Sequence, residues 1–418
     1  MRRPAVFYGW WVVAGFSFMT LTSTGIRHAV GPFLKPITAD LGLDRATFSI
    51  VIAVSLLLYG VFGPLTGIVL DRFGARLTAT AGTLLVVASL LLTGLVRGFW
   101  DFLMVYGVLL SLGLALIGPV LASGVTARWF NKRRGTALSM LASASMTGMS
   151  LLVPMVTWLI LTTGWRSAYM LVGIGVFVVL LPVSLWVIRE SPEAMGLGMD
   201  GGAPESAATT AGTKRVTATE AMQTLAFWQL GGSFFTCGFS MSLLSSHGVP
   251  MLTDHGYTPM FASWALGILG ASSIGGTMIL GAVSDRVGRR PVLASIYAGR
   301  ILIFAGFFVI RDNPIAILAV AVLGGITMSG TGSMTSVLTA DIWGRFSVSR
   351  VLGVIFLVHQ TGSAIGSWLA GALFETTGGY GAAFILACLF LFGAALVALR
   401  VDTGERRIWR TASASATS

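Results

Sequence analysis

The chain has 418 residues, 55% of them hydrophobic and 10% charged, with a formal net charge of +11. Soluble domains carry about 25% charged residues, so a soluble enzyme is excluded and an integral membrane protein is left. Cys237 and Cys388, the two cysteines, both fall inside apolar runs, which excludes a disulfide framework and metal-thiolate spacing; they read as packing residues, and no cofactor is expected.

The apolar runs are about 20 to 28 residues long, the length a helix needs to cross about 30 Å of hydrocarbon. Barrel strands are about 10 residues long with alternating polarity, so the fold class is all-α integral membrane. Twelve spans follow in chain order, at approximately 8–34, 46–70, 76–97, 101–128, 135–162, 166–188, 224–251, 260–284, 291–311, 314–341, 350–375 and 380–400. The first is too long for a signal-peptide core and lacks a small-residue cleavage site, so it reads as a retained helix.

The bases alternate with the spans. The segments on the N-terminal side of the membrane hold 20 of the 27 Lys and Arg, from Arg2 and Arg3 to the Arg400 to Arg410 group. The opposite loops hold Lys35, Arg45, Arg97, Arg166 and Arg311. The positive-inside rule then puts both termini in the cytoplasm of a cell (inner) membrane. The charge is a topology signal and not a nucleic-acid footprint.

Residues 191–219, rich in Gly, Ala, Ser, Thr and Pro, read as a cytoplasmic linker between six-helix halves at 1–190 and 220–402, with a cytoplasmic tail at 403–418. Sliding the first half along by 214 positions brings Pro36 onto Pro250, Asp40 and Gly42 onto Asp254 and Gly256, and Asp71, Gly74 and Arg76 onto Asp285, Gly288 and Arg290. The same offset brings Trp129 onto Trp343 and Gly164 onto Gly378. One offset serving loops on both sides of the membrane indicates a duplication, the layout of a secondary transporter.

Only Arg27 and Arg300 of the 27 bases lie inside spans, joined by His28, His247 and His359, whereas all 16 acids lie in loops, tails or the last turn of a span. Intramembrane charge is costly and functional by default. Bases without matching acids lack an anion, and a guanidinium fork fits a carboxylate. A permeating organic anion is the expected partner, beside the lipid bilayer. Glycine-rich runs at Gly113 to Gly118, Gly267 to Gly276 and Gly324 to Gly332 predict close helix approach. No phosphate-binding G-x-x-x-x-G-K-[ST] loop and no Ser-His-acid grouping is present, so an enzyme is not expected.

DRFGARL (71–77) and DRVGRRP (285–291), led by Gly67 and Gly281, resemble the G-x-x-x-D-R-x-G-R-[RK] signature of the major facilitator superfamily. YGWWVV, GIRHAVGPFLKPI, the RWFNKRRG loop and LGVIFLVHQTGSAIG are most similar to bacterial monocarboxylate porters and oxalate:formate antiporters. The resemblance implies twelve helices around a central cavity, commonly in a monomer, and an anion bound by Arg27, His28 and His359 with Gln360 and His247 orienting it. It implies an inner charge relay of Asp71, Arg72, Arg76, Arg128, Asp285, Arg286, Arg290, Asp341 and Arg345, with Arg133, Arg134 and Arg289 as headgroup anchors. Proton symport, in which a histidine would carry the proton because the intramembrane acid of proton-coupled relatives is absent, facilitated diffusion and carboxylate exchange stay open, and a drug or sugar porter of the same fold is the further alternative. One departure stands out: relatives carry an arginine eight residues before the second loop aspartate, where this chain has Thr277. Arg300, on a span outside the cavity, reads as a structural arginine bonded to carbonyls or to Asp341.

Overall fold

Asp44 accepts a hydrogen bond from the Thr47 backbone and caps a helix, Arg45–Thr93, that runs for 49 residues. A membrane needs about 20. The excess is explained at Gly74, whose φ of 80° and ψ of 166° break the helical path, so this element is two spans in series, α2 before the break and α3 after it. In the computed structural model, which describes residues 7–131, 133–201, 216–310, 313–328, 330–344 and 347–402, the remaining spans are α1 (Tyr8–His28), α4 (Phe99–Trp129), α5 (Arg134–Thr163), α6 (Trp165–Val187), α7 (Leu225–Asp254), α8 (Pro259–Val287), α9 (Arg289–Val309), α10 (Pro314–Trp343), α11 (Val348–Thr377) and α12 (Gly381–Leu399). Among the described residues nine helices are long and apolar enough to cross a membrane. The doubled Arg45–Thr93 element, α1 and α7 complete twelve. Both α1 and α7 are diluted by hydroxyls and histidine, as their sequences show. The tail at 403–418, residues 202–215 of the linker and Arg345 lie outside the described residues, as does the Asp285 side chain.

The 214-residue offset recurs in backbone geometry. Positive φ is found at Gly42 and Gly256, at Gly74 and Gly288, and at Gly164 and Gly378. It recurs in packing too. A Cβ on Gly148 of α5 would collide with the Leu21 carbonyl of α1, and 214 residues on, a Cβ on Gly362 of α11 would collide with the Phe235 carbonyl of α7. Lipid supplies no hydrophobic drive between helices, so contact at small residues fixes where they cross.

Two compact units result. The first comprises Met1–Ala208 with Leu244–Ala271, so the last turns of α7 and the first half of α8 pack with α1 to α6; the second comprises Thr209–Leu243 with Ser272–Ser418. In the first unit, a Cβ on Gly267 would stand 2.9 Å from the Ser150 carbonyl, and the Ser263 and Thr157 hydroxyls lie 2.6 Å apart. In the second, Gly276 meets the Ile326 backbone directly.

Candidate functional site

Arg27 and His28 occupy the last turn of α1, which stops at His28; a short turn at Gly31–Phe33 and a second helix at Leu34–Leu41 continue the chain. Pro32 has no N–H to extend the helix, and Gly31 lets the turn approach the Ser245 carbonyl, where a Cβ would stand at 2.6 Å. A helix C-terminus favours cations by about 0.3–1 kcal/mol, which explains the position of the two bases but not the use of their donors. The Arg27 guanidinium lies 4.1 Å from the centroid of the Tyr59 ring on α2. It makes no side-chain hydrogen bond or ion pair among the described residues, and its Nε is buried without a partner. Both Arg27 and His28 are half-buried. The cation–π contact orients the fork without using its N–H donors.

His247, on the part of α7 that belongs to the first unit, is buried, with Nε2 3.2 Å from the Ser49 hydroxyl. The first unit therefore holds three of the five residues expected to bind the anion: Arg27, His28 and His247. His359 and Gln360, on α11, belong to the second unit. The Gln360 carbonyl oxygen can only accept, so at 2.9 Å the His359 Nδ1 donates to it, which fixes that proton and directs Nε2 away. Phe234 at 4.4 Å and Phe356, parallel at 5.7 Å, hold the ring on two sides.

Arg300 is fully buried. It donates to the Thr327 and Met328 carbonyls of α10 at 3.0 and 2.8 Å, to the Ser240 hydroxyl at 3.1 Å and to the Cys237 sulfur at 3.4 Å. Of the two partners expected for it, carbonyls and Asp341, it takes the carbonyls. Cys237 also lies 2.9 Å from the Thr331 hydroxyl, so it links three helices and is more than a packing residue.

Charged loop residues pair at both ends of the first unit. Arg128 donates to Asp71 and to Glu190, both at 2.8 Å; Arg72 lies over Phe73, and Arg76 is exposed. At the other end of the unit Arg45 donates to both oxygens of Asp254, at 2.6 and 3.1 Å, and Lys35 reaches the same carboxylate at 2.7 Å. Partial burial pushes the Asp254 carboxyl up, but the bonds from Arg45 and Lys35 outweigh it and hold the group below the usual carboxylate range. In the second unit Asp341 faces Arg289 at 3.9 Å. Arg289 was expected at the headgroups; Arg345, expected with Asp341 in the latch, lies outside the described residues. Arg286 is exposed and Arg290 half-buried.

The sequence profile of the Major Facilitator Superfamily matches residues 13–310 and again 230–416. The chain belongs to the Major Facilitator Superfamily. It is a multi-pass membrane transporter with that fold, and the family's members are transporters rather than enzymes. It is 24% identical to the MFS-type transporter YcxA of Bacillus subtilis over 93% of each chain. It is also 24% identical to the oxalate:formate antiporter of Oxalobacter formigenes, covering 88% of this chain and 85% of that one. The monocarboxylate transporter 12-B of Danio rerio is 24% identical, covering 94% and 87%. A bacterial homolog of the human lysosomal transporter Spinster, solved inward-facing and unoccupied, superposes with a TM-score of 0.73 at 16% identity, covering 97% and 98%. The doubled turns and paired glycine crossings of this transporter are thus features of a facilitator fold.

Three contacts of this facilitator were not read from its sequence. Glu190 is the second acid on Arg128; its only signal is its place directly after α6. Tyr59 carries Arg27, and nothing marks it among the aromatic residues of α2. Cys237 joins Arg300, and a cysteine in an apolar run gives no such signal.

Proposed function

We propose that the protein moves a small organic anion, most simply a monocarboxylate, by alternating access across a cell (inner) membrane with both termini in the cytoplasm. The observation that carries this reading is Arg27: a half-buried guanidinium on a membrane helix, oriented by Tyr59 and making no side-chain hydrogen bond or ion pair among the described residues. Lipid cannot satisfy such donors, and a carboxylate can, through two parallel N–H···O bonds. His28 and His247, in the same unit, and His359 with Gln360, in the second, add donors suited to an anion. The chain works as a monomer of two six-helix halves joined by the linker at 191–219. The loop charges act as latches: Asp71, Arg72, Arg76 and Arg128 with Glu190 in one repeat, and Asp285, Arg286, Arg290, Asp341 and Arg345 in the other.

No intramembrane acid is present to carry a proton, so proton symport runs through a histidine. The likeness to an oxalate:formate antiporter favours a second reading, carboxylate exchange. Liposomes containing the purified protein decide between them. Labelled lactate, pyruvate, formate and oxalate are offered under an inward proton gradient or against a preload of unlabelled acid. Gradient-driven uptake supports symport, and uptake that requires the preload supports exchange. A protein that moves none of these acids while moving a sugar or a cationic drug would overturn the anion reading.

A further inference from the structure

Arg300 is the single base inside the membrane spans of the second half, since Thr277 stands where an arginine was expected. It is fully buried, its four bonds go to two carbonyls, a hydroxyl and a sulfur, and none goes to a carboxylate. A cation removed from water without a counter-ion is unfavourable even where its donors are bonded, because neutral acceptors supply no opposite charge, and here Nε is buried without a partner. The surroundings show where an opposite charge would be felt. Arg300 grips α7 through the Cys237 sulfur, at 3.4 Å, and the Ser240 hydroxyl, at 3.1 Å, on the stretch where Phe234 packs on the His359 ring at 4.4 Å. The backbones behind these groups are fixed. Gly238 sits directly under the His359 carbonyl, and Gly362 sits under the Phe235 carbonyl. The positive charge therefore stands behind the stretch of α7 that packs on His359, in a dry setting where Coulomb interactions reach farther than in water.

We propose that Arg300 is the fixed positive charge of the anion site on the second unit: a positioning residue that does not touch the anion, but fixes α7 where Phe234 and Gly238 pack on His359 and favours a carboxylate at the imidazole. This inference rests on the carboxylate reading given above. The test uses the full-length protein in liposomes, with labelled lactate, pyruvate and oxalate as probes, and compares wild type, Arg300→Lys and Arg300→Gln for KM, maximal rate and melting temperature. Arg300→Gln is expected to raise KM by about tenfold or more with the maximal rate within about threefold, and Arg300→Lys to keep KM within about threefold although its melting temperature falls. An unchanged KM in a folded Arg300→Gln protein overturns the proposal, as does an Arg300→Lys protein that loses affinity about tenfold. If Arg300→Gln does not fold, Arg300→Lys decides by that same criterion. A wild type that takes up none of the three acids overturns the carboxylate reading and this proposal with it; wild-type uptake with an indifferent Arg300→Gln overturns this proposal alone.

Discussion

Asp40 and Asp254 occupy equivalent positions 214 residues apart, yet their carboxylates have different partners. Asp40 accepts from Arg166, at 2.8 and 3.2 Å, within the first half of the sequence. Asp254 belongs to the second half and accepts from Arg45 and Lys35 of the first. A duplicated residue that stays within its own repeat in one copy and joins the other repeat in the second is placed to act as a latch.

The Asp254 ion pair has a defined pH window. Its carboxyl is held below the unfolded value of about 3.9, so the stabilisation is complete above that value and is lost as pH falls through the lower folded value. Its partners are partly exposed, so Asp254→Asn is expected to cost about 1 kcal/mol, on the order of 2 °C in melting temperature for a chain this size. Thermal melts of the detergent-solubilised protein between pH 7 and pH 3 check it. The gap between wild type and Asp254→Asn should close at the acid end; a gap that stays constant over the range would count against the assignment.

Gly148 and Gly362 should tolerate no side chain. An alanine Cβ at either would overlap a backbone carbonyl of the facing helix, and overpacking of this kind costs about 1–3 kcal/mol. At Gly175 and Gly393 a Cβ meets nothing within 4 Å, and alanine there should be neutral or gain up to about 1 kcal/mol of helix propensity. Melting temperatures of the four variants check the contrast, which fails if all four behave alike.

Gly74 and Gly288 combine positive φ with extended ψ, a region nearly closed to other residues and costing them on the order of 1–3 kcal/mol. At Gly74 a Cβ would also stand 2.7 Å from the Glu190 carboxylate. Gly74→Ala should therefore destabilise more than Gly288→Ala, whose Cβ meets only Pro291 at 3.8 Å. Parallel chemical-stability curves of the two variants measure the difference.

Arg128 tests whether a surface charge cluster is a gate or an ornament of the loops. Its side chain and those of Asp71 and Glu190 are 33%, 76% and 47% exposed, so Arg128→Ala should cost no more than about 1 kcal/mol of stability. A latch predicts a larger effect on turnover than on melting temperature. Rate and stability falling together would identify a loop anchor.

The parts of this fold legible in the sequence are those governed by local rules. Span positions follow from apolar length, the turns at Gly42, Gly74 and Gly164 from glycine, and the repeat from a constant offset. Long-range choices were not legible. Asp341 stands near several bases along the chain, and only the packed structure shows Arg289 3.9 Å from it. Arg300 had two candidate partners, and the approach of the Thr327 and Met328 carbonyls selected one. The last turns of α7 pack with the first unit through contacts such as Gly31 to Ser245, which no spacing within α7 announces. Among the residues proposed to bind the anion, the bases themselves were visible as charges where charge is costly; Tyr59, which orients one of them, is an ordinary aromatic residue by sequence.

The central claim is that intramembrane bases bind the carboxylate. Uptake of labelled lactate, pyruvate, formate and oxalate into liposomes by wild type, Arg27→Ala and His359→Ala tests it most directly, with folding of each variant checked by its melting temperature. The account predicts uptake of at least one acid by wild type and loss of about tenfold or more in kcat/KM in each folded variant. Wild-type uptake that survives both substitutions would contradict it, leaving Arg27 as a cation at a helix end and His359 as a packed histidine.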